Sequence, residues 1–267
     1  MDDVRIQECS AGLFYRMTKV GSASMMLEML VARSVCKAFF ILVIVFNGTL
    51  LAGESATIPD VLPSVSQIVE RMMAHNEQQN QALVEFRAQR KFSASNIRFK
   101  MDSTMVVQTV FRQPDSMKSS IVSQNGSELI KARVFDEILK SEAETSKNED
   151  KQQVDITPRN YNFSLVAQET CDGRSCYRLR ISPKRKDKYS LQGDAWIDAE
   201  DYAIVRLHGA PAKKPSFWTL KTEIDKHYRK IEGMWLADQL KSTSDILIAG
   251  HSTLSIEYVY QEVLTMP

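Results

Sequence analysis

A succession of strand-like segments from residue 161 to residue 263 constrains the fold more than any other feature of the sequence. The segments contain the β-branched and aromatic residues that favour strands, and short turns such as Asp172-Gly173 and Glu232-Gly233 separate them. They cover residues 161–169, 177–182, 193–198, 203–209, 217–231, 234–244 and 252–263. Strands joined in order by short turns pair as antiparallel hairpins, so this region predicts a meander.

Two helices and two further strands are predicted before the meander. Residues 64–75 place apolar side chains at the three-and-four spacing of an amphipathic helix, and the polar run 75–81 extends this helix to about residue 83. Residues 128–146 carry a second apolar stripe. Between them, the alternation over residues 97–111 predicts a long strand and residues 117–123 a short one.

The helices are too few to cover both faces of so large a sheet. A sheet buries one apolar face against another layer, and two helices can supply that layer if the sheet bends around them. We therefore predict the α+β class, with an open, curved antiparallel sheet, an unclosed half-barrel, whose concave face is covered by the helices.

The N-terminal region has the order of features found in a signal peptide. Arg33 and Lys37 precede an apolar run over residues 38–45, and small residues follow at positions 52–56. A membrane-spanning helix needs about 20 apolar residues, and this run is shorter. We expect residues 1–55 to be an N-terminal extension with a cleavable signal peptide, and residues 56–267 to form one domain without a stable membrane anchor.

Charge and cysteine usage narrow the class of protein further. The 34 basic and 33 acidic residues give a net charge of +1, which does not suit nucleic-acid binding. Cys171 and Cys176 flank the turn Asp172-Gly173, and an exported protein meets an oxidising compartment. We expect a disulfide across this hairpin, because the spacing and the lack of further cysteines in the mature chain do not fit a redox or zinc site.

The sequence contains no motif that indicates catalysis. The four histidines show no metal-ligand spacing, and neither a G-x-S-x-G elbow nor a glycine-rich phosphate loop is present. We predict no catalytic residue, metal or cofactor. One alternative is a hydrolase that uses the carboxylates Asp194, Asp198, Glu200 and Asp201, although acidic residues at this density are typical of a turn.

The apolar face of the predicted sheet offers a binding surface instead. It is rich in methionine, whose flexible thioether suits cavities that accept variable apolar guests. The candidate cavity residues are Phe99, Met101, Met105, Val107, Trp218, Leu220, Ile256 and Tyr258. Core packing is the other interpretation of each of these side chains.

The arrangement resembles the LolA-like outer-membrane lipoprotein-sorting proteins. The resemblance is carried by the helix around residues 68–72, the Phe99-Lys100-Met101 strand, the run 193–198 leading into 201–206, and residues 215–218 followed by 228–236. It implies an unclosed barrel with helices as a lid over an apolar cavity for acyl chains. It also implies a periplasmic location and a lipidated protein or a lipid as partner.

Two functions follow from these observations. The first is a non-enzymatic periplasmic carrier or binding protein for the acyl chains of lipoproteins or lipids. The alternative is an envelope interaction or stress-sensor protein that uses the same fold to bind another envelope protein without a lipid ligand. The two differ in whether the sheet and helices enclose an open cavity or a filled core.

Overall fold

The computed structural model of the protein describes residues 62–114, 116–145, 155–186, 190–214 and 219–266. Helix α1 covers Val65–Ala82, and α2 consists of Glu128–Ile130, a π-helical turn over Lys131–Phe135 and Asp136–Thr145. The strands are β1 Leu83–Asn96, β2 Met101–Arg112, β3 Ser116–Gly126, β4 Tyr161–Cys171, β5 Arg174–Pro183, β6 Leu191–Asp198, β7 Ile204–Pro211, β8 Thr219–Ile231, β9 Met234–Ile246 and β10 Gly250–Thr265. The predicted signal peptide lies outside the described residues.

All ten strands form one antiparallel sheet in the order β3-β2-β1-β10-β9-β8-β7-β6-β5-β4. Strands β4 to β10 are the predicted meander, and β1 to β3 extend the sheet beyond β10. The sheet is not closed, since β3 and β4 stand at its two ends. The predicted α+β class, with an open antiparallel sheet and few helices, is confirmed.

Local sequence explains where the hairpins turn and where α1 begins. Asp172, Gly173, Glu232 and Gly233 all have positive φ angles, as the tight turns of twisted hairpins require. At the start of α1, the Ser64 hydroxyl accepts from the backbone N–H of Gln67, and the Gln67 side chain accepts from the backbone N–H of Ser64. This capping box satisfies two helix donors that would otherwise lack partners.

The two helices cover one face of the sheet over two apolar clusters. Ile68, Val69 and Met72 of α1 pack on β4 to β8, while Ile130, Phe135 and Ile138 of α2 pack on β1, β2, β9 and β10. Tyr228 of the first cluster stands directly opposite Ala237 of the second across β8 and β9. The clusters therefore lie side by side on the same face.

The strand predicted from Ile97 to Phe111 corresponds to β2, which begins only at Met101, and strand β1 before it was not predicted. Instead, residues 97–100 form a turn, and the strand before it pairs with β2 on one side and with β10 on the other. The Asn96 side chain accepts from the backbone N–H of Phe99, which fixes this turn. Ile97 and Phe99 continue the apolar alternation of β2, yet they are 67% and 51% exposed.

Candidate functional site

Strands β9 and β10 separate at one end. They pair from Ile246 opposite Gly250 to Gln239 opposite Glu257, and beyond that point β9 pairs only with β8 while β10 pairs only with β1. We call this opening, which exposes one backbone edge of residues 234–238, the β9–β10 split. Two adjacent strands that diverge leave an edge whose hydrogen-bonding groups need other partners.

A cavity of about 100 Å³ lies at the split, between the second half of α1 and the sheet. Its lining is mainly apolar and includes six aromatic rings. The rings that line it belong to Phe86, Phe111, Tyr228, Trp235, Tyr258 and Tyr260. Phe86 stacks on Phe111 at 5.3 Å between ring centroids and meets Tyr260 edge-on at 5.5 Å, and such contacts hold the wall in a fixed arrangement.

Helix α1 covers the cavity with amide side chains. Asn76, Gln79 and Asn80 line it, whereas the buried residues of α1 all lie in its first half. Gln79 donates from Nε2 to the carbonyl oxygen of Trp235 at 2.9 Å and accepts at Oε1 from the Trp235 backbone N–H at 2.7 Å. One side-chain amide thus satisfies both backbone groups of a residue on the open edge of β9.

Three further hydrogen bonds hold the region around the split. The Tyr260 hydroxyl donates to the carbonyl oxygen of Ala237 at 2.9 Å, so a side chain also hydrogen-bonds the backbone of Ala237 on this open edge. The Gln113 side chain donates to the carbonyl of Asn80 at 2.9 Å, and the Met266 N–H to the carbonyl of Ala82 at 2.7 Å. Hydrogen bonds, rather than apolar contacts, therefore hold this half of the helix over the sheet.

Two buried basic side chains lie on the same face of the sheet as the cavity. Arg90 lines the cavity at 2% exposure, and its guanidinium donates to the hydroxyls of Thr109 and Ser119 at 2.8 and 3.0 Å. Lys226 is fully buried with Nζ 4.5 Å from the ring centroid of Tyr228, and burial lowers its pKa well below the usual value. Burial raises the pKa of Tyr228 and Tyr260, so these phenols remain neutral donors.

The seven predicted cavity residues that the structure describes fall into three groups. Tyr258 lines the cavity; Met105, Val107 and Ile256 are buried in the cluster under α2, against which Met101 packs. Phe99 and Leu220 are each 51% exposed. Trp218 lies outside the described residues. The register shift between Thr219 and Lys221 turns Leu220 away from the buried side of β8.

The sequence interpretation missed Gln79, Phe86 and Trp235. A signal for Gln79 was present, because the predicted helix changes from an apolar stripe to the polar run His75–Gln81 while it still crosses the sheet. A polar helix face above aromatic strand positions indicates an interior that the helix does not fill. Phe86 and Trp235 could be assigned only once β1 and the split were known.

The acidic residues considered for hydrolysis build a turn and ion pairs with Arg174 and Arg180. Asp198 accepts from the backbone N–H groups of Glu200 and Asp201 at 2.9 and 2.7 Å and pairs with Arg174. Burial opposes ionisation of Asp198, but these hydrogen bonds lower its pKa. Asp194 pairs with Arg180 instead. Within the described residues, no group of three or more His, Cys, Asp or Glu side chains is arranged to hold a metal ion.

A charged cluster occupies the opposite face of β8. His227 lies between Asp172, 2.9 Å from its Nδ1, and Asp225, 3.4 Å from its Nε2. Arg206 donates two hydrogen bonds of 2.8 Å to Asp225. The bond to Asp225, followed by that to Asp172, raises the pKa of His227 against the effect of burial. The cluster ties the β4–β5 turn to β7 and β8.

The expected disulfide is not formed, because Cys171 and Cys176 are free, buried thiols. The hairpin register explains this result. Cys171 stands opposite Arg174, and Cys176 stands opposite Glu169, so the two cysteines are diagonal neighbours. Diagonal positions are about 7–8 Å apart between Cα atoms, whereas a disulfide requires about 4.4–6.8 Å. Burial raises the pKa of the Cys176 thiol to about 12.

A second concavity lies beside the edge strand β4. This groove of about 830 Å³ is open to solvent and runs between the first half of α1 and β4, where Val69, Met73 and Phe163 lie next to Glu70 and Lys184. Its mixed lining and open shape distinguish it from the aromatic cavity at the split. Among the described residues, no helix is long and apolar enough to cross a membrane.

Comparison with known proteins finds one family model and several distantly similar solved structures. A family model described as "-like: Uncharacterized protein" matches residues 141–261. No curated protein matches the sequence. An outer-membrane lipoprotein-sorting protein domain from Vibrio parahaemolyticus is similar at 13% identity and a TM-score of 0.41, over 75% of this chain and 91% of that one.

Two other solved structures are similar over comparable lengths. A LolA superfamily protein from Nitrosomonas europaea has 9% identity and a TM-score of 0.33, over 77% of this chain and 94% of that one. MucB, from the MucA/MucB complex of Pseudomonas aeruginosa, has 8% identity and a TM-score of 0.25, over 73% and 93%. Because every TM-score is below 0.5, none of these structures determines what this chain binds.

Proposed function

We propose that this protein is a non-enzymatic periplasmic carrier that binds the acyl chain of a lipoprotein or lipid in the cavity between α1 and the sheet. The observation that carries the proposal is the aromatic wall at the β9–β10 split, covered by a helix half that does not fill it. An acyl chain gains about 0.8 kcal/mol for each CH₂ group removed from water, so a cavity of this kind stabilises it outside a membrane.

The size of the cavity makes movement of α1 part of the proposal. Ligand sites usually measure about 300–1,000 Å³, and this cavity of about 100 Å³ is smaller. The second half of α1 can leave the sheet by exchanging its hydrogen bonds for bonds to water, at a net cost of about 1 kcal/mol each. The first half remains anchored by Ile68, Val69 and Met72.

The location is proposed from the N-terminal segment. Arg33 and Lys37 before the apolar run 38–45 direct export, and cleavage near residue 55 releases a mature chain of one domain without a membrane anchor. In this compartment the client is a lipidated protein or a lipid, and a second envelope protein delivers or receives it.

A second candidate function is favoured by the open edge of β9. An envelope interaction or stress-sensor protein without a lipid ligand needs a surface that recognises protein, and a strand edge that pairs with no neighbouring strand supplies one. The small volume of the cavity also suits this alternative.

The first experiment is native mass spectrometry of the protein purified from a bacterial periplasm without detergent, followed by lipid extraction. A bound mass that extracts as phospholipid or acylated peptide supports the carrier. An empty protein that also fails to take up a fluorescent fatty acid contradicts it and favours the protein-binding candidate.

A cavity-filling variant locates the binding site. Ala237 lines the cavity at 6% exposure, and we expect Ala237→Leu to weaken fatty-acid uptake about tenfold, because the added side chain occupies the space of the ligand. Ala132→Leu, on the exposed surface of α2, is the matched control and should leave uptake unchanged. Equal uptake by both variants would place the ligand elsewhere.

A further inference from the structure

Residues 235–237 of β9 are an edge that the protein occupies with its own side chains. The Gln79 amide exchanges two hydrogen bonds with the N–H and C=O of Trp235, and the Tyr260 hydroxyl donates to the carbonyl of Ala237. Residues two apart on a strand present their backbone groups to the same side. Both therefore face the β9–β10 split, where the next strand of a continuous sheet would lie.

The bonds made by Gln79 have the pattern of a strand partner. In an antiparallel sheet, a hydrogen-bonded residue pair exchanges both N–H···O bonds, so that each residue gives one N–H and accepts at one C=O. The Gln79 amide does the same to Trp235 at 2.7 and 2.9 Å. The side-chain amide of Gln79 therefore takes the position that a peptide group of an added antiparallel strand would have.

The chemistry around the split favours a polypeptide over a charged headgroup. The polar side chains at the cover of the cavity are the uncharged amides of Asn76, Gln79, Asn80 and Gln113, which hydrogen-bond a neutral backbone in both directions. Arg90 is the charged residue among those that line the cavity. Alternate side chains of an added strand would point into the aromatic cavity, where an apolar or acylated residue fits.

We propose that the partner of this site is an extended polypeptide segment that displaces the Gln79 amide and the Tyr260 hydroxyl and pairs antiparallel with residues 235–237 of β9. The proposal rests on the proposed function where the segment is acylated, since the acyl chain then enters the cavity. Gln79 then competes with the segment for the backbone groups of Trp235. The helix that covers the cavity also covers the strand edge until the segment binds.

The test uses the full-length chain and the peptide Gly-Thr-Val-Thr-Val-Gly-amide, with and without an N-terminal myristoyl group, together with free myristate. Single N-methyl groups are placed at each backbone amide in turn. Because alternate amides of a strand face its neighbour, we expect N-methylation to weaken binding about fivefold at every second position and to have little effect between them.

Variants of α1 test the competition. Gln79→Ala removes both the amide that bonds Trp235 and a tie that holds α1 over the cavity. We therefore expect the affinity for both peptides to rise about fivefold more than the affinity for myristate. Gln78→Ala, at the exposed neighbouring position of the same helix, is the matched control and should change none of these affinities. Tighter binding of myristate and peptides alike would instead mean that Gln79 only closes the cavity.

The outcomes separate this proposal from the carrier function. If myristate binds but N-methylation has no alternating effect, the edge of β9 is not used, and the carrier function stands alone. In a second outcome, myristate does not bind, but the unacylated peptide shifts the amide resonances of Trp235 and Ala237, and N-methylation weakens its binding at every second position. This result supports the strand site and contradicts the carrier function. If neither binds, both fail.

Discussion

The two halves of helix α1 cover the same sheet face by different means. The first half buries Ile68, Val69 and Met72 against the strands and closes a packed core. The second half, His75 to Ala82, buries none of its side chains fully and leaves a cavity beneath it, where Gln79 hydrogen-bonds the edge of β9. One helix thus combines a half held by apolar burial with a half held by hydrogen bonds.

The difference between the two halves of α1 shows why one part of the sheet face is packed core and another part lines a cavity. The strands offer large apolar side chains under both halves, including Leu179 and Ile181 under the first and Tyr258 and Tyr260 near the second. Dispersion contacts need partner atoms on both sides of the interface. Where α1 supplies apolar partners the space closes, and where it supplies amides the aromatic rings remain available to a ligand.

The largest expected effect comes from removing an anchor of the first half. Met72 is fully buried, and Met72→Ala should lower the free energy of unfolding by about 2–5 kcal/mol because it leaves a cavity in the core. Urea unfolding measures the change. Met73→Ala, 40% exposed one position further along the helix, is the control and should change stability by less than about 0.5 kcal/mol. Similar losses in both variants would show that the first half is not anchored by burial.

Hydrogen exchange tests whether the two halves open separately. We expect backbone amides near Ile68 and Met72 to exchange at least about tenfold more slowly than those near Asn80, because opening the second half breaks hydrogen bonds without exposing core. Met72→Ala should reduce this contrast. Uniform protection along α1 would mean that the helix opens as a unit and that the cavity has no separately moving cover.

Replacing the amide that joins the second half to β9 should have a smaller effect. Gln79→Ala removes two hydrogen bonds to Trp235 and should cost about 2 kcal/mol of stability, at about 1 kcal/mol for each bond. The same variant should speed amide exchange in the second half of α1 and leave the first half unchanged. Gln78→Ala serves again as the control, and an equal effect there would assign the loss to the helix itself.

Much of the fold was predictable because the turns between the strands of the meander have clear sequence signals. Each strand from β4 to β10 was expected within a few residues, since residues such as Asp172-Gly173 and Glu232-Gly233 end strands locally. Strand β1 was not expected. Its buried side carries Arg90 and Asn96 beside small Ala88 and Ala94, so the apolar alternation that identifies a strand is broken by polar residues with partners inside the fold.

The candidate site was less predictable than the fold. The sequence identified an apolar sheet face, but which part is core depends on the helix that lies above it, and α2 covers Met105 and Val107. The β9–β10 split depends on where two strands stop pairing, and no local pattern encodes that point. The same holds for the two cysteines. Whether they can form a disulfide depends on the register of the β4–β5 hairpin, which their spacing in the sequence does not give.

The smallest expected effect concerns the face of β8 opposite the cavity and tests whether the two faces act independently. Hydrogen bonds to Asp225 and Asp172 raise the pKa of His227, and burial opposes the increase. A raised pKa in the folded state means that the stabilisation is complete below the unfolded value of about 6.5 and is lost as pH rises through the folded value.

The free energy of unfolding should therefore fall as pH increases above about 6.5, by less than about 1 kcal/mol because solvent screens this partly exposed cluster. His227→Gln should lack this pH-dependent component in urea unfolding measured across the same range. Because the cluster joins the β4–β5 turn to β7 and β8 and touches neither half of α1, fatty-acid uptake should not change with it. An uptake that follows the titration of His227 would instead couple the charged face to the cavity and overturn the separation between them.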